Sequence, residues 1–103
     1  MGYKINITEH ADEQLDNITY YLLYRLKNDQ AAKHLLESLS KIYDRLVDNP
    51  YQFHHCNDEY LRGKGYMEAV VSGMDYTVIF SISENVVNVV GIFHQLENYI
   101  RKL

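Results

Sequence analysis

The stretch AAKHLLESLSKIYDRLVDNP, residues 31–50, places Ala32, Leu35, Leu39, Ile42 and Leu46 at spacings of three, four, three and four. That rhythm puts all five on one stripe of an α-helix. Leu36 and Tyr43 widen the stripe, and Glu37 and Lys41 are expected to pair one turn apart on the outer side. Asn49-Pro50 ends the helix, because proline has no N–H to donate and its ring collides with the preceding turn. Upstream, Ala11, Leu15, Ile18, Leu22 and Leu26 repeat at four, three, four and four, which predicts a second amphipathic helix running to Leu26. Thr8 suits its N-cap, and Glu9, Asp12 and Glu13 put negative charge where the helix dipole favours it. Lys27-Asn28-Asp29 separates the two helices, with Asp29 as the expected cap of the second. So short a link between two amphipathic helices implies an antiparallel hairpin.

The flanks read as strands. Tyr3 to Thr8 alternates apolar and polar, the period of a half-buried strand. Residues 51–65 have no clean period, and Gly63 and Gly65 flank Lys64, which predicts a loop holding at most a short strand. Three strand-like runs follow, Tyr66–Ser72, Tyr76–Ile82 and Val86–Phe93, separated by the turn-like Gly73-Met74-Asp75 and Ser83-Glu84-Asn85. The last run is β-branched on both faces, as a central strand would be. The expected order is β-α-α-β-β-β. This is an α+β fold, with a helical hairpin packed on one face of a small, mostly antiparallel sheet and the other face open. Residues 1–103 are expected to form one domain.

Composition narrows the functional classes. A net charge of −4 argues against general attraction to nucleic-acid phosphate and against direct sequence-specific DNA binding. No run approaches the ~20 apolar residues that cross a bilayer, so no membrane partner is expected. The lone Cys56 suits a reducing cytoplasm. Ten tyrosines and no tryptophan suggest rim or partner-facing aromatics, and Tyr20, Tyr21 and Tyr24 cluster beside the apolar stripe of the first helix. They read either as packing against the second helix or as a docking surface for a partner helix or a second copy of the chain. The run FHHC, Phe53 to Cys56, offers zinc-type ligands. Adjacent residues rarely all reach one ion, so no metal or cofactor is expected, and Phe53 is expected to pack this loop onto the sheet edge.

The chain resembles the toxins of the RelE/ParE superfamily, from bacterial type II toxin–antitoxin modules. The resemblance rests on ITEHADEQLDNITYYL (7–22), on residues 31–50, on Gly65-Tyr66 leading into the sheet, on DYTVIFSI (75–82) and on VVGIFHQLENY (89–99). The Asn49-Pro50 ending and His94-Gln95 are more similar to the ParE branch. That branch implies a plasmid-stabilisation toxin that inhibits DNA gyrase by binding, with a cognate antitoxin as partner. The RelE branch implies instead a ribosome-dependent mRNA endonuclease, and a toxin fold that has lost toxicity is a third reading. Family members often carry cations where this chain has Met67, Thr77 and Leu96.

On the binding reading, the expected target contacts are Arg62, Lys64, His94, Gln95, Glu97, Tyr99, Arg101 and Lys102. On the nuclease reading, His94, Glu68, Asp75 and Tyr99 would supply acid–base groups, with Arg62 and Lys64 as the nearby cations. His94 also has a plain structural reading, in which its ring bonds a turn carbonyl as the strand leaves the core.

Overall fold

The chain path is set first by Thr8. It is extended (φ −65°, ψ 155°), and its side-chain oxygen accepts the Ala11 N–H at 3.2 Å. That bond ends strand β1 (Lys4–Ile7) and starts helix α1 (Glu9–Tyr20) in the computed structural model, which describes residues 2–94.

Helix α1 does not run unbroken to Leu26. Residues Tyr21–Arg25 form a π-helical turn, closed by the Leu26 N–H on the Tyr21 carbonyl at 3.0 Å. The wider turn keeps Leu22 buried but leaves Leu26 54% exposed. Lys27 then takes a positive φ of 50°. The cap of helix α2 (Asp29–Asp48) is Asn28 rather than Asp29, its Oδ1 accepting the Ala31 N–H at 3.0 Å. Asp29 instead sits in the first turn, where its charge favours the dipole. The Asn28 N–H also reaches back to the Leu22 carbonyl at 2.8 Å, tying the hairpin together.

All five stripe residues of α2 are buried, as their spacing predicts. The exposed ion pair on this helix is Lys33–Glu37 at 4.0 Å, not Glu37–Lys41, and such a pair adds little stability. Tyr20, Tyr21 and Tyr24 are 61%, 47% and 64% exposed, and the rings of Tyr20 and Tyr24 lie 4.8 Å apart.

The sheet has five strands, one more than the reading above predicts. A 3-10 turn (Pro50–Gln52) leads into the extra strand β2 (His54–His55), and helix α3 (Glu59–Gly63) follows. Strands β3 (Met67–Val70), β4 (Tyr76–Ser83) and β5 (Val86–His94) complete the layer, in the order β1-β5-β4-β3-β2. β1 lies parallel to β5, and every other pairing is antiparallel.

The helical hairpin covers one face, burying Leu35, Leu39 and Leu46 against Val78, Phe80, Val87 and Val89. The other face is not open as expected. Asp58 caps α3 through the Leu61 N–H at 3.0 Å, and this short helix presses Leu61 onto Cys56, Ile79 and Phe93, all 0–1% exposed. A second, smaller core therefore closes part of that face. No helix among the described residues is long and apolar enough to cross a membrane.

Candidate functional site

The position of His94 follows from an irregularity in β5. Phe80 pairs with Val89, but Ile79 pairs with Gly91, so Val90 is an extra residue and the strand bulges. The bulge frees the Ile92 N–H, which Gln14 of α1 accepts through Oε1 at 3.0 Å. It also reverses the side-chain parity beyond it. Without the extra residue, Val87, Val89, Gly91 and Phe93 would share the helix-side face. Instead Ile92 joins the helix-side core and Phe93 the opposite one.

His94 consequently stands across from Tyr76, on the helix side. The two rings are perpendicular, with centroids 5.3 Å apart. They line a cleft of about 490 Å³ together with Asn17, Ile18, Tyr21 and Leu26. The π-helical turn supplies one wall of this cleft, and such turns often mark functional positions.

The other expected site residues lie elsewhere. Glu68 pairs with Ile79 on the opposite face, where its Oε1 accepts the Asn57 N–H at 3.3 Å and lies 3.8 Å from His54 Nε2. Asp75 is exposed in the turn before β4. Arg62 is held by the loop it braces, donating from Nε to the Cys56 carbonyl at 3.0 Å and from Nη2 to the Asn57 carbonyl at 2.8 Å. Lys64 lies 4.7 Å over the Tyr60 ring, and its hydrogen bond with Tyr60 raises its pKa.

Met67 and Thr77 are each 3% exposed, so neither position offers a surface group to a phosphate. Gln95, Leu96, Glu97, Tyr99, Arg101 and Lys102 lie outside the described residues. Glu68 and His94, two of the proposed acid–base groups, thus occupy opposite faces of the sheet. His54 beside Glu68 is a neighbour the sequence reading missed. The pairing of β2 with β3 brings them together, and no local periodicity signals it.

Within FHHC, Phe53 packs edge-on against Phe80 at 5.8 Å and fixes the loop to the sheet. His54 and His55 are exposed, whereas Cys56 is buried. Among the described residues, no three His, Cys, Asp or Glu side chains gather to hold a metal.

Burial, then the charges of Glu68 and Asp58, push the Cys56 thiol from 9.0 up to about 11. The folded state therefore disfavours the thiolate, and the unfolded chain loses this proton first. Stability contributed by Cys56 is complete below pH 9 and falls as pH rises from 9 toward 11. Alkylation by iodoacetamide at pH 8 is accordingly expected to be slow in the native protein and fast in urea. Equal rates in the two states would show that the thiol is accessible and unperturbed.

A hairpin of helices on one face of a sheet in which β1 runs parallel to β5 is the architecture of RelE/ParE superfamily toxins. Residues 5–99 match the model of the ParE toxin of the type II toxin–antitoxin system, parDE, and the chain belongs to that family. Among solved structures it is similar to the chromosomal ParDE toxin–antitoxin system of P. aeruginosa. That likeness has TM-score 0.72 at 14% identity, covering 89% of this chain and 95% of the other. It is also similar to the RelBE2 toxin–antitoxin complex of Mycobacterium tuberculosis, with TM-score 0.61, 15% identity and coverage of 91% and 99%. The E. coli DinJ-YafQ complex gives TM-score 0.60, 15% identity and coverage of 92% and 94%. A search of curated proteins returned no match.

Proposed function

We propose that this toxin acts by binding, with DNA gyrase as its target and a cognate antitoxin as the partner that restrains it. The observation that carries the proposal is the separation of the acid–base groups. Cleavage at an RNA 2′-hydroxyl needs a base, an acid and a cation converging on one phosphate. Glu68 and His94 lie on opposite faces, and Arg62 is engaged with its own loop. The family match and the likeness to the ParDE system favour the same branch. His94, Lys64 and the chain beyond His94, with Gln95, Glu97, Tyr99, Arg101 and Lys102, are the proposed target contacts.

The test is induced expression without an antitoxin, reading growth, a DNA-damage reporter and mRNA integrity. Growth arrest with a gyrase-dependent damage response and intact mRNA is expected, and mRNA should stay intact in His94→Ala. Shortened mRNAs that disappear in His94→Ala would establish the nuclease reading instead. Growth at the normal rate would reject both.

A further inference from the structure

Strand β1 ends the sheet beside β5. In their parallel ladder the Lys4 N–H bonds the Asn85 carbonyl at 2.9 Å, and the Thr8 N–H bonds the Val89 carbonyl at 3.1 Å. Backbone groups alternate sides along a strand, so Lys4, Asn6 and Thr8 face β5 while Tyr3, Ile5 and Ile7 face outward. The Tyr3 N–H is taken by the Val47 carbonyl of α2 at 2.8 Å, which closes that end of the edge. Among the described residues, no backbone partner meets Ile5 or Ile7 on the outer side. An unpaired edge is commonly blunted by proline, by charge or by a covering segment. Between Lys4 and Thr8 this edge carries only Ile5, Asn6 and Ile7, and Ile7 is 40% exposed.

This open segment is complementary to itself. In two copies running antiparallel about a two-fold axis at Asn6, Ile5 of each stands across from Ile7 of the other. The two residues exchange N–H and C=O at both crossings, using no group that is already engaged. Ile5 packs on the helix-side core, so the Ile5 and Ile7 side chains meet as cross-strand pairs on that face and Ile7 is covered. On the opposite face Asn6 meets Asn6. Its Nδ2 donates to Asn88 Oδ1 at 3.0 Å, which leaves Oδ1 and the second N–H for the same groups of the other copy. Lys4 stands across from Thr8, the neighbour of Glu9, so opposite charges approach at both ends. Among the described residues neither Lys4 nor Glu9 has an ion-pair partner within 4.0 Å.

We infer that β1 is a pairing edge for a second copy of this chain, joining two sheets into one across a two-fold axis at Asn6. A copy fits better than a foreign strand because one register satisfies the free backbone groups, the Asn6 amide and the Lys4 and Glu9 charges together. Moving that register by two residues opposes Ile7 to Tyr3, whose N–H is taken, or Ile5 to Glu9, which is already helical. The contact is short, so association is reversible and the chain is a monomer when dilute. The inference is independent of which target the toxin attacks.

The test is sedimentation of the full chain in the ultracentrifuge, from about 1 μM to about 1 mM. The average mass is expected to rise from one chain toward two. Lys4→Glu and Glu9→Lys should each weaken dimerisation about tenfold, because each sets like charges against one another at both ends. An equimolar mixture of these two variants should dimerise again, since a mixed pair has opposite charges at both contacts. Ile7→Pro should also weaken dimerisation, because it removes an outward N–H and leaves the bonds of Asn6 and Thr8 to β5. If Ile7→Pro fails to fold, hydrogen exchange at the Ile5 and Ile7 amides of the unaltered chain, slowing as concentration rises, gives the same readout. A constant monomer mass over the whole range would overturn the inference. So would dimers that are indifferent to Lys4→Glu, or that survive it but are lost in Tyr24→Ala, which would move the contact to the π-helical turn.

Discussion

Leu39→Ala is expected to lower the unfolding free energy by about 2–5 kcal/mol, measured by urea denaturation at neutral pH. Leu39 is 2% exposed, at the middle of α2, in the core that also holds Leu35, Val78 and Phe80. Removing its isobutyl group forfeits the transfer free energy of the lost atoms. It also leaves a cavity that cannot easily collapse, because one wall is a helix and the other a sheet. The matched control is Leu36→Ala on the same helix. Leu36 is 46% exposed, so its loss is expected within about 0.5 kcal/mol of zero. The difference between the two variants isolates burial, since helix propensity changes equally in both. If both lost the same stability, the helix would be turned differently from the arrangement described above.

The burial of Leu39 was legible in the sequence because a helical stripe is a local property, whereas Leu36, read as widening that stripe, is exposed. Spacing alone identified Ala32, Leu35, Leu39, Ile42 and Leu46, and all five are buried. Tyr76, Val78 and Phe80 alternate along β4 and share the helix-side core, as the two-residue period of a strand requires. What could not be read depended on contacts between distant segments. The two-residue strand β2 exists only because β3 lies beside it. The second core needs α3 to fold back over Ile79, and residues 51–65 carry no period that announces it. The π-helical turn is a one-residue change of winding, and the four-residue spacing to Leu26 resembles ordinary helix. For the candidate site the decisive failure was parity. The run from Val86 onward gives no sign of an extra residue, so the face on which His94 would stand was undetermined. The resemblance placed His94 at a working position in the chain, and only the bulge decides which side of the sheet that position serves.

Gly91→Ala tests that bulge directly, and its expected cost is about 2–6 kcal/mol. A Cβ at Gly91 would lie 2.3 Å from Cε2 and 2.7 Å from Cζ of Phe93, and 3.1 Å from the Gln14 side-chain oxygen. The first two contacts are impossible without movement. The Phe93 ring is 0% exposed and clustered with Cys56, Leu61 and Ile79, so it has little room to give. Overpacking of this kind costs about 1–3 kcal/mol. The third contact presses on the acceptor of the Ile92 N–H, and a buried donor left without a partner costs a further 1–3 kcal/mol or so. If the collision with the ring is the main cause, shortening the ring should relieve it. Phe93→Leu is destabilising alone, but it removes the atoms that the added methyl group would strike. The double variant is therefore expected to be clearly more stable than the sum of the two single losses implies. Simple additivity would place the strain elsewhere. Displacement of Gly91 should also shift His94, three residues on, relative to Tyr76. The perpendicular Tyr76–His94 ring contact makes the shift observable, because loss of the ring-current effect on the His94 proton resonances would accompany the loss of stability. A Gly91 variant that keeps those resonances while losing stability would uncouple the bulge from the cleft.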